Sequence, residues 1–98
     1  MKVSLEMPAV QNCEATECAY NREQVCHARA ITIGDNQHAA CDTMLSGEPK
    51  HAKRPDVAGV GACKVASCMY NDDFECQADG IEVGLAQDHA DCLTFEIR

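Results

Sequence analysis

The sequence is short of the large apolar residues from which a protein core is usually built. Its 98 residues include no Trp, two Tyr and two Phe, and Ile, Leu, Val and Phe together number only 17. That share is below the roughly 20% that, with a high net charge, is typical of disordered chains. Ordering each residue costs roughly 1 to 2 kcal/mol of backbone entropy, which burial of so little apolar surface does not offset. The chain therefore requires a further source of stability.

A long apolar run is also missing. No stretch approaches the roughly 20 apolar residues of a membrane-spanning helix. The opening residues, MKVSLEMPAVQNC, contain one Lys, an early Pro and no apolar run of signal-peptide length. We therefore expect a cytoplasmic protein, in which thiols stay reduced and metal binding is a more common use of cysteine than disulfide bonding.

Basic residues are scarce as well. The chain has 8 Lys and Arg against 16 Asp and Glu, which gives a formal net charge of −8. The resulting field repels nucleic acid and anionic membranes, so we expect neither as a partner and leave a protein partner open. The sequence contains no Ser-His-acid pattern, glycine-rich phosphate loop or repeated pair of catalytic carboxylates. It predicts that the protein is not an enzyme.

Eight cysteines stand out against these shortages, and they fall into two equal sets. The segment CAYNREQVC at residues 18–26 returns as CMYNDDFEC at residues 68–76. The offset between the copies is 50 up to residue 37 and 51 after it. We interpret this as a tandem duplication, with a first unit at 1–48, a linker at 49–56 and a second unit at 57–98. The repeated cysteines are Cys13, Cys18, Cys26 and Cys41, then Cys63, Cys68, Cys76 and Cys92.

Each unit carries the four thiols of a tetrahedral zinc site. Four residues separate the first two cysteines, seven the next two, and 14 or 15 the last two. We predict two zinc ions, one per unit, held by the eight cysteines, with iron as an alternative because it also accepts four thiolates. A disulfide-bonded or thiol-redox protein, and a metal store or sensor, stay open as other interpretations. Because each unit has a full ligand set, we expect residues 1–48 alone to fold with one metal.

Histidines and threonines recur beside the last cysteine of each unit. His38 and His89 stand three residues before that cysteine, which makes them candidates for alternative ligands or for groups that hydrogen-bond a ligand. Thr43 and Thr94 stand two residues after it and could supply a backbone or hydroxyl donor to sulfur. His27 has no counterpart in the second unit, and we expect it at the surface.

The residue pattern predicts a small metal-stapled β-rich protein: two tandem four-cysteine units with short strands and hairpins, and little helix. In CAYNREQVC we expect a hairpin with Cys18 opposite Cys26 and a turn at residues 21–23. Strands are expected at residues 26–33, 76–83, 2–7 and 94–98, and single helical turns at residues 14–18 and 64–68.

A family resemblance follows from these residues. The units CEATECAYNREQVCHARAITIG…HAACDTM and CKVASCMYNDDFECQADGIEVG…HADCLTF resemble the small bacterial family known as domain of unknown function 1540. The resemblance rests on all four cysteines of each copy, the Tyr-Asn pair, and an Ala and an Ile after the third cysteine. Met44 departs from the closing Phe that Phe95 retains, and neither His38 nor His89 belongs to the family's pattern. The resemblance implies a metal-binding domain of the bacterial cytosol with no assigned activity.

Overall fold

The structure, a computed structural model, describes residues 7–35, 38–47, 55–86 and 89–98. These residues contain ten β-strands and no helix, which confirms the β-rich fold expected from the sequence. The strands are β1 (Ala9–Cys13), β2 (Asn21–Arg22), β3 (Val25–Cys26), β4 (Ala30–Asp35), β5 (Ala39–Cys41), β6 (Gly59–Cys63), β7 (Asn71–Asp72), β8 (Glu75–Cys76), β9 (Gly80–Ala86) and β10 (His89–Cys92). Among these residues, no helix is long and apolar enough to cross a membrane.

Six of the strands close into one barrel to which both units contribute. The strand order is β1-β6-β4-β5-β10-β9, so three strands come from each unit. Strand β1 runs parallel to β9 of the second unit, β4 runs parallel to β6, and β5 is antiparallel to β10. Around the barrel, β6 of the second unit separates β1 from β4, and each unit contributes one adjacent pair, β4-β5 or β10-β9, so neither set of three strands closes the barrel alone. We therefore no longer expect residues 1–48 to complete this sheet alone.

The pairing repeats with the symmetry of the duplication. Ala9 is opposite Gly80 in the β1–β9 pair, and the equivalent Gly59 is opposite Ala30 in the β6–β4 pair. Both pairs shift register at the same place, because one extra residue, Gln11 or Gly61, forms a bulge in the strand. The barrel therefore has a pseudo-two-fold axis that relates the two units.

The barrel interior is lined by a small number of β-branched side chains. The largest fully buried side chains are Val10, Ile33, Ile81 and Val83, which lie on β1, β4 and β9. Along β4 the alternating Ile31 and Ile33 both face inward, as the period of two in a strand requires. Most other buried apolar side chains are Ala or Cys. The core is therefore thin, and the cysteines form part of it.

The hairpin in each unit has a different register from the one expected. Asn21 pairs with Cys26 and Arg22 with Val25, so the turn falls at Glu23 and Gln24. These two residues have φ angles of 56° and 65°, as in a type I′ turn, although Gly and Asn usually occupy such positions. The prediction that Cys18 lies opposite Cys26 was wrong. Cys18 instead bridges to Ser46, near the end of the unit.

Several predicted elements were also shorter than expected. The strands expected at 26–33 and 76–83 are interrupted by a bend, so β4 begins at Ala30 and β9 at Gly80. The strand expected at 94–98 is reduced to a single bridge between Ile97 and Cys68. Turns and bridges, and not helical turns, occupy 14–18 and 64–68. The strand expected at 2–7 lies almost wholly outside the described residues, as do residues 48–54 of the linker region.

Candidate metal centre

Four separate elements bring the cysteines of each unit to one place. In the first unit they are the end of β1, the bridged turn at Cys18, the end of β3 and the end of β5. All four thiols line one small cavity of about 10 Å³, and the four of the second unit line a matching cavity of about 20 Å³. Spaces of this size accommodate about one water molecule or ion. The lining cysteines are Cys13, Cys18, Cys26 and Cys41 in the first cavity and Cys63, Cys68, Cys76 and Cys92 in the second.

Each cavity is closed by side chains of the other unit. Val83 and Ala90 of the second unit complete the wall of the first cavity. Ile33 and Ala39 of the first unit do the same for the second. The strand exchange in the barrel thus makes each four-cysteine group depend on both halves of the chain for its apolar surroundings.

The asparagine of the Tyr-Asn pair that recurs in both copies has the same structural role in each unit. The side-chain amide of Asn21 donates to the carbonyl of Cys13 at 2.8 Å, and its Oδ1 accepts from the backbone N–H of Gln24 at 3.1 Å. Asn71 makes the same two bonds in the second unit, at 2.8 and 3.2 Å. This buried side chain ties the first cysteine strand to the hairpin that carries the third cysteine. It also stabilises the unusual turn, because its Oδ1 accepts from the N–H of Gln24, a residue at positive φ.

Backbone amides point at the sulfurs. Burial raises the pKa of the Cys13 and Cys41 thiols, and the N–H groups of Ala15 and Thr43 oppose this rise by hydrogen-bonding the two sulfurs. The N–H of Leu45 donates to Cys18 Sγ at 3.5 Å. Hydrogen bonds to the charged form of a group favour that form. Thr43 thus gives a backbone donor, as the sequence suggested, whereas its hydroxyl accepts from the N–H of Thr32 at 3.1 Å.

Burial is nevertheless the dominant influence on the thiols. It raises the pKa of Cys13 and Cys26, and it raises the pKa of Cys41 to about 11. A negative charge on Cys18 would raise the pKa of all three further, which places these sulfurs close enough to interact electrostatically. Thiols of this kind are protonated at pH 7. A redox-active cysteine instead has a lowered pKa and is exposed to solvent.

The second unit repeats this balance. Burial raises the pKa of Cys76, and it raises the pKa of Cys92 to about 11. Backbone N–H groups of Ala78, Thr94 and Phe95 oppose the effect by hydrogen-bonding these sulfurs. These donors are the equivalents of Ala28, Thr43 and Met44, which hydrogen-bond the third and fourth cysteines of the first unit.

The donor set fits a metal that prefers thiolates. Four sulfurs with N–H donors in a small apolar cavity match the ligands of a structural zinc site. Within residues 7–35, 38–47, 55–86 and 89–98, no group of three or more His, Cys, Asp or Glu is arranged to hold an ion as it stands. The thiols are free, and each can turn about a single side-chain torsion.

The two candidate histidines lie away from the cysteine cavities and meet each other across the pseudo-two-fold axis. Nδ1 of His38 is 2.6 and 2.7 Å from the two carboxylate oxygens of Asp91. Nδ1 of His89 is 3.9 Å from the same carboxylate, and the two rings are 6.1 Å apart. Neither ring lines a four-cysteine cavity. Their role as ligands stays a prediction, whereas the contact of His38 with Asp91 joins the residue that precedes β5 to β10.

His27 was expected at the surface and is instead buried, with 6% of its area exposed. Its Nδ1 is 3.2 Å from the backbone carbonyl of Asp56. The sequence gives no periodic signal for this contact, because the residue that covers the histidine lies 29 positions away and has no role in the cysteine pattern.

Fold and site together define a small cysteine-rich β-protein built from two copies of one unit. The chain matches the family described as Domain of Unknown Function (DUF1540) over residues 12–46 and 62–95. These segments cover 69 of the 98 residues, and each contains the four cysteines of one unit. The chain belongs to this family, so the resemblance drawn from the sequence is confirmed. No curated protein and no solved structure gives a significant match.

Proposed function

We propose that the protein is a tandem structural zinc-binding module with an interaction or scaffold role in the cytoplasm, and not an enzyme. The observation that carries this proposal is the gathering of eight thiols into two cavities of four, each with backbone N–H groups directed at sulfur. When bound, zinc would supply four bonds to sulfur in each unit and offset two of the four thiolate charges.

The thin core supports a structural role for the metal. Few large side chains are fully buried, and the cysteines themselves form part of the buried cluster. Metal binding supplies folding free energy where no preformed core is sufficient. We expect chelation under reducing conditions to abolish the dispersion of amide NMR signals from both units. Dispersion that survives complete metal removal would contradict a structural role.

Electrostatics limits the class of partner. Two sites of four thiolates with one Zn²⁺ each would move the formal charge from −8 to about −12. Nucleic acid would be repelled further, so a protein partner is the more favourable class. Binding to DNA should be undetectable at moderate salt, as measured by fluorescence anisotropy.

Native mass spectrometry with a parallel free-thiol count tests the proposal directly. We expect a mass above that of the metal-free chain by two metal ions, and eight thiols after denaturation in a chelator. A mass lowered by about two hydrogens per cysteine pair would instead identify disulfides. Elemental analysis of the same sample distinguishes zinc from iron.

Single substitutions test the ligand set. Cys18→Ser removes one thiolate, so we expect the first unit to lose its metal while the second retains its own. His38→Ala is the matched variant outside the cavity. It should leave two metal ions per chain, with at most the roughly 10- to 100-fold weaker affinity typical of groups beyond the ligands. If His38→Ala empties a site and Cys41→Ser does not, the proposed ligands are wrong.

A further inference from the structure

The two four-cysteine groups differ in how well their third cysteine is covered. Cys26 is buried, with 7% of its area exposed, and both His27 and Ala28 beside it are buried as well. At the equivalent positions Cys76 is only partly buried, and Gln77 is exposed. The third cysteine of the first unit is therefore better covered than its equivalent in the second unit.

The segment at residues 55–58, which leads into the second unit, lies beside Cys26. The backbone N–H of Ala58 donates to the carbonyl of Cys26 at 2.9 Å. The imidazole of His27 lies against the same segment, with Nδ1 3.2 Å from the carbonyl of Asp56. One main-chain bond to Cys26 and one side-chain contact with His27 thus hold the segment in place beside the third cysteine.

The equivalent bond cannot form in the second unit. The duplication aligns Ala58 with Pro8 and Cys26 with Cys76, and Pro has no backbone N–H to donate. The rest of the pairing is retained, because Val10 donates to Ala58 and Val60 donates to Pro8, both at 2.9 Å. The asymmetry therefore arises from two local differences, Pro8 in place of Ala and Gln77 in place of His.

The last cysteine of the second unit is also more accessible. Cys92 is partly buried, whereas Cys41 has 7% of its area exposed. Cys92 lines a surface cleft together with His38, Asp91 and Ile97. A chelator or a thiol reagent can therefore approach the second group from two sides.

We propose that the two metal sites are functionally unequal: the first is a permanent structural site, and the second, at Cys63, Cys68, Cys76 and Cys92, is the exchangeable one. This inference rests on the proposed function. The segment at residues 55–58 shields Cys26 from reagents that would compete for the metal. In the second unit Pro8 has no N–H to donate to Cys76, and Cys76 is more exposed than Cys26, so the metal of this unit exchanges first and its thiols react first.

Chelator challenge of the metal-loaded protein tests the inference. The protein is mixed with EDTA and iodoacetamide, samples are taken over time, and peptide mass spectrometry follows the alkylation of Cys26 and Cys76. A chromogenic indicator measures total metal release in parallel. We expect two phases of release, with Cys76 alkylated during the first and Cys26 during the second. A single phase with equal labelling, or earlier labelling of Cys26, would overturn the inference.

Substitutions at the two points of difference sharpen the test. His27→Ala removes the contact with Asp56 and should accelerate release from the first site by roughly twofold to tenfold, the value of one weak hydrogen bond. Gln77→Ala, at the equivalent exposed position, is the matched control and should change neither phase. Pro8→Ala restores an N–H opposite Cys76 and should slow the first phase by a similar factor. Unchanged rates in both His27→Ala and Pro8→Ala would refute the role of the cover.

The same measurement separates this inference from the proposed function. If the purified, reduced protein contains no metal, the proposed function fails, and the order of alkylation still reports the cover over Cys26. Earlier labelling of Cys76 then supports unequal accessibility of the two cysteines, and equal labelling contradicts it. If two metals are present and leave together, the proposed function stands and the inequality is wrong.

Discussion

Replacing the repeated asparagine with alanine should lower the free energy of unfolding considerably, although only a few atoms are removed. Asn21→Ala removes the donor to the Cys13 carbonyl, at 2.8 Å, and the acceptor for the Gln24 N–H, at 3.1 Å. Asn21 is buried, with 5% of its area exposed, so the orphaned carbonyl has poor access to water. An unsatisfied buried acceptor costs about 1 to 3 kcal/mol, and a partly exposed hydrogen bond contributes about 0.5 to 1.5 kcal/mol. We expect a loss of about 2 to 4 kcal/mol.

Urea unfolding of the metal-loaded protein in a reducing buffer, followed by far-UV circular dichroism, measures this loss. Asn71→Ala should behave alike, because it makes the same two bonds in the second unit. Asn21→Asp keeps the acceptor but sets a carboxylate oxygen against the Cys13 carbonyl, so it should cost at least as much as alanine. Gln77→Ala is the control and should change stability by less than about 0.5 kcal/mol. A loss below that value for Asn21→Ala would refute the reasoning.

Three further outcomes follow from the structure. Residues 1–48 alone should form a homodimer, in which a second copy takes the place of residues 57–98 in the barrel. Light scattering measures this, and a folded monomer would contradict a barrel shared between the units. Glu23→Asn with Gln24→Gly should raise the free energy of unfolding by about 1 to 2 kcal/mol, because Asn and Gly tolerate positive φ better than Glu and Gln. No gain in stability in urea unfolding would contradict the type I′ assignment of this turn. Metal binding to the first unit at pH 7 should release about three protons from Cys13, Cys26 and Cys41, because burial raises the pKa of each thiol, that of Cys41 to about 11, and keeps them protonated. The affinity for metal should therefore weaken as pH falls and strengthen as pH rises. Release of fewer than about two protons in a weakly buffered indicator assay would show that the cysteines are already thiolates in the metal-free protein.

Much of the local structure was accessible from the sequence. The duplication, the grouping of the cysteines and the repeated Asn are all visible as identical residues at fixed spacing. The hairpin register was not accessible, because Glu23 and Gln24 carry none of the glycine signal that usually marks a type I′ turn. Their backbone conformation is determined by Asn21 and by pairing within the sheet.

The sharing of the barrel between the units was not accessible for a different reason. A duplicated sequence presents nearly the same strand pattern twice, so pairing of β4 with β1 or with β6 satisfies the same alternation of apolar residues. Only the three-dimensional arrangement selects β6. The burial of His27 escaped prediction in the same way, since its partner Asp56 lies in the segment between the units.

The parallel pairing of β1 with β9 also has a consequence for biosynthesis. Ala9 lies opposite Gly80, so β1 leaves the ribosome about 70 residues before the strand with which it pairs. Contacts this distant in sequence form slowly, and until they form, the apolar face of the first half is exposed. During that interval the second unit of another nascent chain presents the same pairing surface as the second unit of the same chain. Synthesis of this small protein at high local concentration therefore favours exchanged pairs, in which two chains complete each other's barrels.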